Sequence, residues 1–545
     1  MQLRFLSRQR RHLAALCLIT LSSTAALAAP APALFRVELQ GATDQPVSGR
    51  LLLFAAEANA ARAAAKGAEV DEVGGARFAT GLTSVAAREV SRLAPGQSVS
   101  IDADELAFPD AFSKLPPGAY LMQAVLDVHH NYNYLGRETG DLLSGVVSVH
   151  LPAATPPVIT LTRRVPADDP WAKPWEGFPG PLTAQVRELL PQARAHAHTI
   201  DFQSPSLAAF WERPVSMRGW VLTPPGYDAK AAARYPTVYY AHAGTMNADR
   251  VIGLLAMVYA AMAKGAMPPM IWVFPDYAGA GGTNEFADSA NNGPWGRAFT
   301  AELIPHLEAE YRMDARPCSR FLTGHSSGGW ASLWLQTRYP KLFGGTWSTS
   351  PDPVDFHAFL SADLYASDAN VYHQPDGSPW PMIRVGGKPV GDIETYAKLE
   401  RVTGSYGGQF AAFEWVFSPR GADGRPMPMF DRDTGAVDPF VLAYWHDHYD
   451  IAHYLETQWP RLKPDLDGKI HLYVGTADTF YLDGSVRRMQ GVLERLGAKA
   501  EVRFIPDKTH YDLYARGDDP IALLNDIAWQ MYTLARPQMS RVRTQ

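Results

Sequence analysis

From Met217 onward, apolar runs of strand length alternate with longer runs of helical character, and that alternation leaves few folds open to the chain. The strand-like runs are Thr237–Ala241, Met270–Phe274, Arg320–Thr323, Gly345–Ser348, Ile470–Val474 and Val502–Ile505. Between or after them lie helix candidates at Asp249–Lys264, Trp295–Tyr311, Ser327–Thr337, Val486–Leu496 and Ile521–Leu534. Near-continuous apolar strands separated by helices call for a mostly parallel sheet covered on both faces. The order is broken once, by about 110 residues from 352 to 464 that are rich in Trp, Tyr, Pro and Gly. A connection of that length is expected to be a lid or an inserted subdomain.

The front of the chain has a different grammar. Short β-leaning runs at Phe35–Leu39, Gly49–Phe54, Ser98–Ile101, Ala119–Val128, Gly145–Leu151 and Val158–Thr162 stand between turn residues, and an Ala-rich stretch, Ala55–Lys66, suggests a surface helix. Spaced strands with little helix predict an antiparallel β-sandwich over 29–165. A Pro- and Trp-rich connector follows at 166–200, with a short helix near Leu182–Ala197, and 201–545 is the α/β unit. Residues 1–28 have a basic start (Arg4, Arg8, Arg10, Arg11), an apolar stretch Leu13–Leu21 and a closing Ala26-Leu27-Ala28. That is the pattern of a secretory signal peptide, too short in its apolar part to span a bilayer. It places the mature chain in the periplasm or outside the cell.

Composition narrows the chemistry. The 545 residues are 46% hydrophobic and 19% charged, enough for packed cores, and the formal net charge is −6. Four arginines and no acid leave with residues 1–28, taking −6 to −10. An acidic chain lacks the basic face that nucleic acid requires. Cys17 leaves with the leader, so Cys318 has no partner for an internal disulfide; it is expected to be a small buried hydrophobe.

Within the α/β half, Gly324-His325-Ser326-Ser327-Gly328 is G-x-S-x-G, following an apolar strand and preceding a helix candidate. A serine held at strained backbone angles needs neighbours without Cβ atoms so that strand and helix can close around it. Ser326 would project at the carboxyl end of the sheet, with the Ser327 amide directed at a developing oxyanion. A serine needs a base, and the base an orienting acid. Asp478 ends the strand Ile470–Val474, and His510 follows the strand Val502–Ile505, on the same sheet edge as Ser326. Asp483 competes as the acid but sits in what looks like a helix start. Asp507 and Asp512 flank the histidine and suit loop or capping roles. A second oxyanion amide is expected near Gly244, with Ala243 or Thr245 as alternatives.

On these residues the chain from about Met217 to its end resembles the putative esterase family of esterase D-like enzymes, feruloyl esterases and enterochelin esterases. Gly324–Gly329, then Gly475-Thr476-Ala477-Asp478-Thr479-Phe480-Tyr481-Leu482-Asp483-Gly484, then His510 carry the resemblance. It implies an α/β-hydrolase fold, and an acid about thirty residues before the histidine; the interval from Asp478 to His510 supports Asp478 over Asp483. Two departures stand out. His242-Ala243-Gly244 has its glycine one place later than the family's His-Gly, and the insertion has no counterpart.

Other clusters are open to two readings each. His129-His130 beside Asp127 are adjacent on an expected strand and would point to opposite faces, away from a shared ion. Tyr132 and Tyr134 could form a sugar platform or a sheet-face contact. His446, His448 and His453 have the density of a metal site, but aromatic packing or a pocket wall fits them better. Asp288 and Asn292 could line the cleft or cap a helix, and Glu302 could meet a helix dipole or support the site. The expectation is an exported serine hydrolase acting on small-molecule or glycan-linked carboxylic esters, with no cofactor and no metal. Its rivals are a peptidase of the prolyl-oligopeptidase type and a non-catalytic glycan- or peptide-binding protein on the same scaffold.

Overall fold

The computed structural model describes residues 32–74, 83–244, 246–279, 281–404 and 408–538; the leader read over 1–28 lies outside them. In the front half, nine strands hydrogen-bond into one sheet. Its centre is Val47–Glu57, flanked antiparallel by Ser84–Leu93 and Gly118–Asp127. Period-two alternation divides the central strand: Leu51, Leu53 and Ala55 join Phe35, Val37, Ile101 and Ile159 in one interior, while Leu52, Phe54 and Ala56 face a second. Strands from both ends of the sheet thus line a common core. Most pairs are antiparallel, but Leu34–Leu39 runs parallel to Val158–Arg164.

The strand Ser84–Leu93 carries no clean signal in the sequence, because Arg88, Glu89, Ser91 and Arg92 are exposed and give it a helical composition. The Ala-rich stretch divides. Ala55–Glu57 completes the central strand, and a helix, Ala58–Ala64, begins where the Glu57 carboxylate accepts the amides of Asn59 and Ala60.

The second half is built on an eight-stranded sheet. In spatial order its strands are Ala197–Gln203, Ser216–Leu222, Ile271–Pro275, Thr237–Ala241, Arg320–His325, Gly345–Thr349, Ile470–Gly475 and Ala500–Ile505. The last six are mutually parallel, and the first two add an antiparallel edge. All six strands read from the sequence are present. The edge pair was hidden among 166–222, where polar residues break the apolar runs.

Residues 166–200 do more than connect. Trp171, Phe178, Leu182, Val186 and Ala193 sink into the core of the second half, against the all-apolar helix Ile252–Ala263. The sheet itself begins at Ala197 rather than after 200. Cys318 also departs from expectation: it lies exposed in a short 3-10 turn, Pro317–Ser319, instead of being buried at the start of a strand.

The insertion is a packed body with helices Ile393–Thr403, Gln409–Phe417, Pro439–Tyr449 and Ile451–Leu466. It shares one core with the helix Ser327–Arg338, where Trp330 meets Phe417 and Trp334 meets Tyr449. Leu399 and Val402 pack on the outer face of the front sheet. Arg50, buried at the centre of that sheet, donates to the carbonyls of Arg401 and Val402 at 2.9 Å each and pairs with Glu89 at 2.6 Å. It therefore caps the carboxyl end of the helix Ile393–Thr403, whose last carbonyls have no partner within the helix. Arg50→Ala should cost about 2–4 kcal/mol by leaving those buried carbonyls unsatisfied. Hydrogen exchange should speed up in 393–417 before it does in the central strands; equal protection throughout would contradict this role. Among the described residues, no helix is long and apolar enough to cross a membrane.

Candidate active site

The strand Arg320–His325 is buried along its whole length, and the helix Ser327–Arg338 starts immediately after it. Ser326 forms the corner at φ 59° and ψ −124°, a conformation that side chains with a Cβ avoid. Two glycines make the corner possible. A Cβ on Gly324 would overlap the carbonyl of Gly328, and one on Gly328 would overlap those of Ala241 and His242. The backbone also binds the corner to the next strand: Ser326 N donates to Thr349 O at 3.1 Å, and Asp352 N to Ser326 O at 3.1 Å.

His510 and Asp478 come together as the strand order demands, since Ile470–Gly475 and Ala500–Ile505 are parallel neighbours. The Nδ1 of His510 lies 2.9 Å from Asp478 Oδ2, and both side chains are buried. Asp478 Oδ1 accepts the amides of Phe480 at 2.9 Å and Leu482 at 3.4 Å. Burial alone would raise this carboxyl, but the attraction of His510 and these hydrogen bonds hold it below its ordinary range. An ionised Asp478 on Nδ1 fixes the tautomer that leaves Nε2 able to take a proton. Asp483 is committed elsewhere, paired with Arg384 at 2.6 Å and Arg487 at 3.5 Å. Arg384, from the insertion, also donates to the carbonyl of Asp478 at 2.7 Å and so steadies the loop that presents the acid.

Among the described residues the Ser326 hydroxyl makes one hydrogen bond, at 3.3 Å to Asp352 Oδ1, and none to His510. The other oxygen of Asp352 accepts the Ser327 hydroxyl at 2.7 Å and Gln409 Nε2 at 3.4 Å. Burial raises the Asp352 carboxyl, opposed by the Ser327 hydrogen bond and the attraction of His510. The sequence marked Asp352 only as the start of the insertion. Its place was legible in principle, because it follows Gly345–Thr349, the strand beside the nucleophile strand. Glu285 lies behind it, wholly buried, and burial lifts its carboxyl far above the usual range with help from Asp352.

Gly244 lies beside Ser327: a Cβ added there would come 2.8 Å from the Ser327 hydroxyl. Among the described residues, neither the Ser327 nor the Gly244 amide donates to a protein acceptor. Thr245 lies outside the described residues. The loop carrying Gly244 is braced by His242, whose Nε2 is 3.1 Å from Asp276 Oδ1 and whose ring stacks on Tyr277 at 4.2 Å. The Tyr277 hydroxyl donates to the carbonyl of His242. On the other side, Phe178 from the expected connector stacks on His325 at 4.4 Å, and His325 lies 4.5 Å from His510 by ring centroids.

The remaining clusters resolve differently from one another. Tyr132 and Tyr134 are buried on a helical turn, Tyr132–Leu135, and not on a sheet face; the Tyr134 hydroxyl reaches to 3.6 Å from the Cβ position of Gly244. His129 and His130 lie past the end of their strand, bonded separately to Thr139 O and Glu89. Asp288 caps the amide of Arg297, and the Asn292 carbonyl holds the indoles of Trp211 and Trp295. Glu302 accepts Ser206 N and the Ser204 hydroxyl. Asp512 accepts both the amide and the hydroxyl of Thr509, the capping role expected of it. His446 and His448 diverge because their segment is helical; His448 stacks on Tyr444, and donor atoms of His446, Asp447 and His453 lie within 4.8 Å of one another.

Comparison with known proteins shows similarity to esterases over part of the chain. Residues 214–398 match the family model described as "Putative esterase". Two curated relatives, Esterase MT1326 and Esterase Rv1288 from two strains of Mycobacterium tuberculosis, are 28% identical over 205 residues, 34% of this chain. The match spans 43% of the length of each. Among solved structures, an S-formylglutathione hydrolase from Agrobacterium tumefaciens aligns with 62% of this chain and 95% of its own, at 16% identity and a TM-score of 0.36. A ferulic acid esterase from Anaeromyces mucronatus aligns with 62% of this chain and 91% of its own, at 15% identity and a TM-score of 0.33.

Proposed function

We propose that this chain, similar to the putative esterase family over residues 214–398, hydrolyses small-molecule or glycan-linked carboxylic esters by an acyl-enzyme route. Ser326 attacks the ester carbonyl while His510 Nε2 takes its proton, then returns it to the departing alcohol. Asp478 orients the imidazole and stabilises its charged form. The amides of Ser327 and Gly244 receive the oxyanion. Water, deprotonated by His510, releases the acid and restores Ser326. No step calls for a cofactor or a metal.

The observation that carries the reading is the 2.9 Å pair of His510 and Asp478 at the strand ends beside a serine held at φ 59°. We read the folded front sheet as the expected sandwich. With the leader over 1–28, the chain works in the periplasm or outside the cell. The front domain and the insertion are both in contact with the catalytic half, and the insertion reaches the site through Arg384 on the Asp478 loop and Gln409 on Asp352.

A fluorophosphonate probe tests the reading directly. It should label the full-length protein stoichiometrically, with the adduct on the peptide containing Ser326, and abolish hydrolysis of p-nitrophenyl esters in proportion. Labelling elsewhere, or undiminished hydrolysis after complete labelling, would overturn the assignment. A p-nitroanilide of the same acyl group should release no p-nitroaniline, whereas steady anilide turnover that is lost on labelling of Ser326 would mark a peptidase.

A further inference from the structure

Asp352 touches the attacking atom itself, and nothing in the proton relay from Asp478 through His510 requires it. A carbonyl under attack must come to within about 3–3.5 Å of Ser326 Oγ, and Oγ lies 3.3 Å from Asp352 Oδ1, so a donor near that carbonyl is within reach of the carboxyl. At rest both Asp352 oxygens are satisfied: Ser326 Oγ donates to Oδ1, and Ser327 Oγ with Gln409 Nε2 to Oδ2. Acylation changes that balance. Once Ser326 has given up its proton and become an ester, its oxygen can no longer donate, and Oδ1 is left facing a lone pair in a buried place. Asp352 is 5% exposed, and Glu285 behind it is 1% exposed, with Oε1 accepting the Thr283 hydroxyl. An unsatisfied buried carboxyl is costly, and the cost falls on the acyl-enzyme and the transition states on either side of it.

We propose that Asp352 selects substrates carrying a hydrogen-bond donor, a hydroxyl or an ammonium, on the α-carbon of the acyl group or on the second carbon of the alcohol, and that this donor replaces Ser326 on Oδ1 during the reaction. The inference rests on the acyl-enzyme reading above and names the substrate class for that same site. Esters that are anionic or purely alkyl at these positions meet repulsion or desolvation there. A site built to bond a donor discriminates strongly against the analogue lacking it.

Three ethyl esters of one shape test the acyl side: propionate, lactate and alaninate, differing only in H, OH or ammonium on the α-carbon. Ethyl acetate and 2-hydroxyethyl acetate test the alcohol side. Each kcat/KM is divided by the ester's hydroxide-catalysed rate constant to remove intrinsic reactivity. The wild type should favour at least one donor-bearing ester over its parent by about tenfold or more. Asp352→Ala should bring that ratio to near unity, and Asp352→Asn, which keeps the shape, should at least reduce it for the ammonium.

Equal normalised rates across both series in the wild type would overturn the inference. So would an Asp352 variant that slows every ester alike, which is the mark of a residue that only positions Ser326. If Asp352→Ala fails to fold, Asp352→Asn decides. Ser326→Ala run on the same esters keeps the two ideas apart. Turnover that survives in it sinks the hydrolase reading, whereas a dead Ser326→Ala beside an indifferent wild type sinks this proposal alone.

Discussion

Ser326→Ala and His510→Ala should each lower kcat on an activated ester by about a millionfold, and the double variant should be no slower than either. The reason is mutual dependence. A serine hydroxyl at its ordinary pKa is a poor nucleophile, and a histidine with no nucleophile to deprotonate has only water to act on. What survives is the binding and oxyanion contribution, about 10³–10⁴ over water. Neither change should unfold the chain, although each takes one partner from a buried carboxyl, Asp352 or Asp478. The Ser326 side chain makes one long hydrogen bond, and its backbone is held by Thr349 O and Asp352 N, which an alanine keeps. Both variants should stay folded at the assay temperature, with His510→Ala the less stable because Asp478 loses its closest partner, so that lost activity reports chemistry. Ratios of initial rates, with active-site titration to exclude contaminating esterase, supply the measurement. Additive losses in the double variant would show that the two groups do not act as a unit.

That Ser326 and His510 could be named from sequence follows from how parallel sheets are built. Each strand ends at the same edge, so a motif recognised at one strand end fixes where the others must converge. The G-x-S-x-G corner was legible because backbone crowding forbids a Cβ at Gly324 and Gly328, which leaves a mark in composition. Asp352 leaves no such mark. It is one aspartate among many at the edge of a long insertion, and its importance lies in a contact across 26 residues. The oxyanion loop was legible only to within a residue or two, because backbone amides carry no side-chain signature.

In the front half, the alternation of Phe35, Val37 and Leu39 and the apolar run within Gly49–Phe54 announced strands, whereas Ser84–Leu93 was hidden by exposed Arg88, Glu89 and Arg92. The segment 166–200 was misjudged for a related reason. Its prolines resemble a linker, yet Trp171, Phe178 and Leu182 between them are buried, and one of those rings stacks on the histidine beside the nucleophile. Proline density reports stiffness, and only the apolar residues in between report packing.

Asp478→Asn is the sharper test of the acid, because Asp483 stands five residues away and the sequence alone left a choice. The amide can turn its NH₂ group toward His510, which then holds its proton on Nε2, the atom that must accept from Ser326. By analogy with other Ser-His-Asp sites, kcat should fall about 10⁴-fold while KM changes little. Asp483→Asn should cost kcat less than about tenfold, since that carboxylate faces Arg384 and Arg487 and not the imidazole. Arg384→Ala should fall between the two. It removes the donor that steadies the Asp478 carbonyl and leaves Asp483 half-paired, so the acid remains but is less well aimed. The ordering of the three variants carries the argument more than any one value. If Asp483→Asn proved the most damaging, the His510–Asp478 contact would be a structural pair, and the acid of the relay would have to be sought on the other side of the loop.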